Sequence, residues 1–426
     1  MTVATDLAFR RLMHKKLHFL FLNIGHFLDH LFMLVFATVA ALALTREWQL
    51  SYSDLIFYAM PGFIAFGAFA LPAGWLADKW SRHGMLVIFF IGIGAASIVT
   101  ALAQTPLQIG IGLFAIGVFA AIYHPVGIAL VLEGRARVGM AIAVNGVYGN
   151  MGVAAAALIT GFLIDQSGWR SAFVWPGIVS ILVGLAYGAL VWTGREVINS
   201  EGAADRKISE AALATYDRDV FIRVIAIVLF TTAVGGLVFQ STTFALPKIV
   251  DERASDIAHS ATLVGWLTFF IFSIGSIGQL VVGYSLDRVS PRSIFAVIAA
   301  TQLVIFALMP GLTGWAAVIL AAIFMFATFG QIPINDVLVG RVAKSEWRSR
   351  ILAMRMTVTI TVMGLAVPVI GWVHAGWGFD MLFVILAIAG GLILSAVLML
   401  PRAIPGAVVL SPAIAPAPNQ TLTTLT

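Results

Sequence analysis

Twelve long apolar stretches, separated by polar turns, constrain this chain more than any single residue does. They run over 17–44, 53–77, 85–103, 108–131, 139–163 and 171–193, then over 221–247, 261–286, 293–310, 315–338, 351–373 and 380–400. Each is long enough to cross a bilayer as a helix. Of all residues, 60% are hydrophobic and 11% charged, whereas a soluble domain carries about a quarter charged. Such a surface cannot face water throughout. The expected fold class is an all-α integral membrane protein with twelve transmembrane helices.

Two loops half a chain apart then divide the helices six and six. Gly74-Trp75-Leu76-Ala77-Asp78-Lys79-Trp80-Ser81-Arg82 follows the second span, and Gly283-Tyr284-Ser285-Leu286-Asp287-Arg288 follows the eighth, with Arg292 close behind. Gly, Asp and a basic residue recur at matching offsets, which points to an internal repeat. Parallel repeats about an axis along the membrane normal are one construction of membrane transporters.

Positive charge predicts the orientation. Twenty-one of the 25 Lys and Arg residues fall on one side of the spans, and only Arg46, Arg170, Lys248 and Arg253 on the other. Cationic loops stay in the cytoplasm, so both termini are expected there, in a bacterial inner membrane. The same bias explains the net charge of +5 without a nucleic-acid partner. The expected organisation is a cytoplasmic N-terminus over 1–16, a six-helix bundle over 17–193, a linker over 194–220, a second bundle over 221–400 and a disordered tail over 401–426. Residues 208–216 in the linker suit a short surface helix, and the basic start suggests no cleaved signal peptide. The chain has no cysteine, which excludes disulfides and thiolate metal sites.

Ionisable residues inside a membrane are expensive and point to function. His26, Asp29 and His30 share nearly one face of the first span, and His124 stands before Pro125 in the fourth. His26 and His124 lie roughly 10–14 Å from the same membrane face at helical rise. A protonatable group of this kind suits proton coupling. A structural network between the two spans ranks second, and a transition-metal site third. No cofactor or bound metal is expected.

Tyr123-His124-Pro125, Gly149-Asn150-Met151-Gly152 and the paired loops together resemble the major facilitator superfamily, and within it the fosmidomycin-resistance branch of drug/proton antiporters. The resemblance covers the whole chain. It implies two pseudo-symmetric six-helix bundles, rocker-switch alternating access, and a monomer that exports a small organic solute against protons. It also implies that Asp78 latches the halves near the start of the eleventh span, where Arg348, Arg350 and Arg355 stand. Gly74, Lys79, Arg82, Gly283, Asp287, Arg288 and Asp336 complete the expected gating set. Departures exist: the branch usually has Asn-Asp where this chain has Asp29-His30, and a Gly-Pro in the fifth span where this chain has Val153 to Ala157.

For the solute cavity, the polar residues Asn145, Tyr148 and Asn150 are candidates in the first half, and Gln240, Gln331 and Asn335 in the second. Uptake of an organic acid or a metal chelate is the alternative function. An intramembrane metal-dependent oxidoreductase is a weaker one, because such enzymes need many more histidines. Neither a phosphate-binding Gly-x-x-x-x-Gly-Lys-Ser/Thr loop nor a Gly-x-Ser-x-Gly elbow occurs in the sequence. The sequence therefore predicts a transporter and not an enzyme.

Overall fold

The structure, a computed structural model, describes residues 3–133, 138–194, 218–342 and 345–401. Arg135, Arg137, most of the 194–220 linker with its expected surface helix, and the tail beyond 401 lie outside the described residues.

The described chain is helical throughout, and eleven of its helices are long and apolar enough to cross a membrane. We name them α1 (Leu12–Glu47), α2 (Tyr52–Lys79), α3 (Arg82–Thr100), α4 (Pro106–Leu132), α5 (Met140–Ser167), α6 (Ser171–Thr193), α7 (Arg218–Arg253), α8 (Ala261–Leu286), α9 (Pro291–Leu308) and α10 (Gly314–Val342). The eleventh, Met354–Leu398, has 45 residues. At 1.5 Å per residue it would be about 67 Å long, twice a bilayer's hydrocarbon thickness. Gly378, at φ 70° and ψ −170°, breaks it, a conformation that glycine adopts without a Cβ clash. The break yields α11 (354–377) and α12 (379–398), and hence twelve crossings.

Helix pairing repeats after six. In the first half α1 packs on α5, α2 on α4 and α3 on α6; in the second, α7 packs on α11, α8 on α10 and α9 on α12. Between the halves α1 meets α7, and two more extensive pairs cross there, α5 with α8 and α2 with α11. They too exchange under a shift of six. The pseudo-symmetric six-plus-six arrangement therefore rests on contacts as well as on the repeated loop. Even crossings put both termini on one face, called here the terminus face; the opposite one is the far face.

Candidate functional site

The sequence makes room for α1 on α5 by withholding side chains. A Cβ at Gly152 would lie 2.9 Å from the carbonyl carbon of Phe27, and one at Gly149 2.7 Å from the His26 imidazole. With nothing there, the His26 ring sits directly against α5. On the other side, α4 loosens into a π-helical turn over Tyr123–Gly127, a feature common at functional sites. Pro125 within it has no N–H to give. The turn directs the adjacent residues Tyr123 and His124 both toward α1.

Three imidazoles converge there. Ring centres are 4.8 Å apart for His26 and His30, 5.4 Å for His26 and His124, and 5.5 Å for His30 and His124. One ring nitrogen from each lies within 4.8 Å of the others. His26 Nδ1 donates to the Asn145 carbonyl at 2.8 Å, which leaves Nε2 with its lone pair. That lone pair faces His30 Nε2 at 3.1 Å. Asp29 Oδ2 stands 3.4 Å from His124 Nε2. Asp29 is 1% exposed, and its Oδ1 has no hydrogen-bond partner among the described residues. His30 and His124 are half-buried, so the cluster is open on their side.

Other sequence candidates fall into three situations. Asn145 is buried and committed: its amide donates to Asn23 Oδ1 at 3.0 Å and to the Tyr123 hydroxyl at 2.9 Å. Tyr123 in turn donates to the Leu22 carbonyl at 2.7 Å. Asn150 donates across the half interface to Gln279 Oε1 at 2.7 Å. Gln331 accepts from Gln302 at 3.0 Å, and Asn335 accepts from Thr231 Oγ1 at 3.1 Å, in a network joining α7, α9 and α10. Tyr148 is half-buried. Gln240 is 2% exposed, with Nε2 unpaired among the described residues.

The gating candidates pair within their own halves. Asp78 binds Arg82 at 2.8 Å, and Asp336 binds Arg355. Lys79 and Asp287 are exposed, and Arg288 lies over the Tyr284 ring at 3.4 Å. Gly74 lets α2 approach Pro125, where a Cβ would lie 3.3 Å away; Gly283 faces open space. The side chains of Arg348 and Arg350 lie outside the described residues.

The far face is different, and its residues were not singled out from the sequence. Asp165, at the end of α5, accepts from the first amides of α8: Thr262 N at 2.7 Å and Ala261 N at 3.3 Å, with Thr262 Oγ1 at 2.6 Å. A carboxylate is favoured at a helix N-terminus. His374 of α11 meets Ser53 Oγ of α2 at 3.1 Å and Glu252 of α7 at 3.0 Å. The Asp165 contacts and the Ser53–His374 contact join one half to the other, and Glu252 holds His374 from within the second half. The signals were present in the sequence, an acid just before Gly168 and a histidine late in the eleventh span, but neither sits in the middle of the membrane.

An open, largely apolar groove of about 550 Å³ lies between α1, α5, α6 and α8, lined by Phe27, Leu31, Phe162, Trp175 and Trp266, with Thr262 of the Asp165 tie at its edge.

Comparison with known proteins fits this architecture. A sequence profile of the Major Facilitator Superfamily matches residues 22–256. The chain belongs to the Major Facilitator Superfamily. It is 24% identical over 285 residues to a gallate transporter of Pseudomonas putida, covering 60% of this chain and 62% of that one. It is likewise 24% identical over 286 residues to a 4-hydroxybenzoate transporter, PcaK, of the same organism, with the same coverage. The chain thus spans about three fifths of the length of these relatives. Among solved structures, a D-xylose–proton symporter shares the fold at a TM-score of 0.67 and 14% identity, over 91% of this chain and 98% of that one. A peptide transporter in complex with sulfate does so at 0.67 and 12%, over 90% and 93%. This superfamily member is a multi-pass membrane protein.

Proposed function

We propose that this chain moves a small aromatic acid across the bacterial inner membrane by alternating access, driven by the proton gradient, with both termini in the cytoplasm. One observation carries the reading. On the far face the halves are tied at Asp165 and at His374–Ser53, and deeper in the membrane at Asn150–Gln279, while Asp78 and Asp336 on the terminus face pair within their own halves. Ties on the far face and an unlatched terminus face support one of the two states that alternating access requires.

When protonated, the half-buried rings of His30 and His124 supply donors for a carboxylate, and Phe66, 5.7 Å from His124 between ring centres, supplies an aromatic face. The named substrates of the two Pseudomonas relatives are aromatic carboxylates, which supports this class. No phosphate-binding loop is present in the sequence, which supports a gradient over ATP as the energy source. Tyr123-His124-Pro125 in α4 and Gly149-Asn150-Met151-Gly152 in α5 resemble motifs of drug/proton antiporters, which supports the outward direction, whereas the fifth-span Gly-Pro of such antiporters is replaced here by Val153 to Ala157.

Purified protein in proteoliposomes, with an imposed pH gradient and a panel of hydroxybenzoates, tests all three parts. Proton movement on addition of one compound, opposite in direction to that compound, is the expected result. Movement in the same direction replaces export by uptake. Accumulation that survives collapse of the pH gradient by an ionophore refutes proton drive, and no movement of any panel member refutes the substrate class.

A further inference from the structure

We infer that His26, His30 and His124 form a binding site for a divalent transition-metal ion of the zinc, nickel or cobalt class, with an open position on the solute side. From the sequence alone this ranked behind proton coupling and packing. Geometry raises it.

Metal–nitrogen bonds of 2.0–2.1 Å in a tetrahedral site put ligating nitrogens about 3.3 Å apart and imidazole centres about 5 Å apart. His26 Nε2 and His30 Nε2 are already 3.1 Å apart. The three ring centres are separated by 4.8, 5.4 and 5.5 Å. Two imidazole nitrogens so close share a single hydrogen between two lone pairs. A metal ion takes that hydrogen's place without moving α1.

The surroundings are those of a ligating histidine. Metal-bound imidazoles donate their other N–H to a carbonyl or carboxylate, which fixes the ring and its tautomer. His26 does this through Nδ1 to the Asn145 carbonyl at 2.8 Å. Asn145 is itself held by Asn23 and Tyr123. Tyr123 stacks on His26 with ring centres 5.0 Å apart and planes 20° from parallel. Asp29 stands beside His124, and its buried Oδ1 has no partner among the described residues. A carboxylate there lowers the cost of bringing a dication into the membrane interior.

Three imidazoles leave a tetrahedral ion one ligand short, the pattern of sites that keep a position for water or substrate. His26 is buried, whereas His30 and His124 are half-exposed, so the vacant position points to their open side. The inference concerns the same cavity as the transport reading and rests on it only for naming that side. Metal binding is measured in detergent, so it stands or falls apart from any transport assay.

The test uses full-length protein purified without a polyhistidine tag and titrated with Co²⁺. One Co²⁺ per chain with visible ligand-field bands is expected, displaced by Zn²⁺. His30→Asn and His124→Gln should each weaken binding by more than the roughly 10–100-fold that loss of an outer-shell partner produces. The competing cluster is His18 and His83, both bonded to the Tyr187 hydroxyl. Binding that survives His30→Asn but is lost in a His18→Asn/His83→Asn double variant overturns the inference, as does the absence of stoichiometric binding. Should the variants fail to fold, Cu²⁺-loaded wild-type protein gives the answer by electron paramagnetic resonance. Hyperfine coupling to three imidazoles supports the site, and coupling to fewer than three refutes it.

Discussion

Replacing Gly152 by alanine probes how α1 is seated on α5. The new Cβ would lie 2.9 Å from the carbonyl carbon of Phe27, where carbon atoms need about 3.5–4.0 Å. The obstruction is backbone, so no rotamer relieves it, and the helices must part by roughly 0.6–1.1 Å. The His26 Nδ1 to Asn145 carbonyl bond, 2.8 Å long, then stretches beyond about 3.4 Å and is lost. Overpacking of this kind costs about 1–3 kcal/mol, and the lost hydrogen bond about 1 kcal/mol. Alanine's helix preference over glycine returns about 1 kcal/mol. The net expectation is destabilisation by roughly 1–3 kcal/mol. Gly146, two turns earlier on α5, is the control, because a Cβ there meets nothing within 4 Å; Gly146→Ala should be neutral or stabilising. Unfolding in mixed detergent and dodecyl sulfate micelles measures both. If Gly152→Ala proves as stable as Gly146→Ala, α1 and α5 are not packed as described.

Three further perturbations test other parts of the molecule. Asp165→Ala removes the carboxylate that accepts from the first amides of α8, leaving its Ser260 cap in place, and should favour opening of the far face by about 1–2 kcal/mol, a factor of roughly 5–30; spin labels on introduced cysteines report it directly, since the chain has none, and an unchanged distance distribution would count against the tie. Asp29→Asn should weaken Co²⁺ binding about 10–100-fold as an outer-shell change, and a titration indistinguishable from wild type would remove Asp29 from the site. Thr231→Val leaves Asn335 Oδ1 without its 3.1 Å donor and should cost about 0.6 kcal/mol, the average for hydrogen bonds between membrane helices, and at most about 1.7 kcal/mol; equal unfolding curves would refute a stabilising role.

The spans were legible because hydropathy is a property of single stretches, and a bilayer demands about 20 apolar residues wherever it is crossed. The break at Gly378 was legible for the same reason: His374, Gly376, Gly378 and Asp380 interrupt the apolar run within seven residues. His26, Asp29, His30 and His124 stood out because charge is rare at such depth. What the sequence did not display was partnership. Asn145 looks like any polar residue on a span, yet its amide and carbonyl link α1, α4 and α5. Asp165 and His374 look like loop and helix-end residues, and gain meaning only when α8 and α2 are brought against them. The side chains that join halves lie about 100 to 320 residues from their partners, beyond anything periodicity or spacing reveals.

Equivalent positions in the two halves carry different chemistry. Where α1 and α4 gather imidazoles, a phenol and a carboxylate, their counterparts α7 and α10 gather amides and hydroxyls, Thr231, Thr232, Gln331 and Asn335, joined by Gln302 of α9. The second set is bonded within itself and lacks any group that binds a cation strongly. Its π-loosened counterpart is also missing, for Pro333 sits inside a helix that continues through it, whereas α4 gives way at Pro125. A duplicated fold has thus kept its packing plan while placing its imidazoles and carboxylate in one half. Under the proposed alternating access, that division lets a ligand of those groups stay with one half while access changes around it. On the same reading the far-face ties at Asp165 and His374 govern access, separate in space from the His26, His30 and His124 cluster.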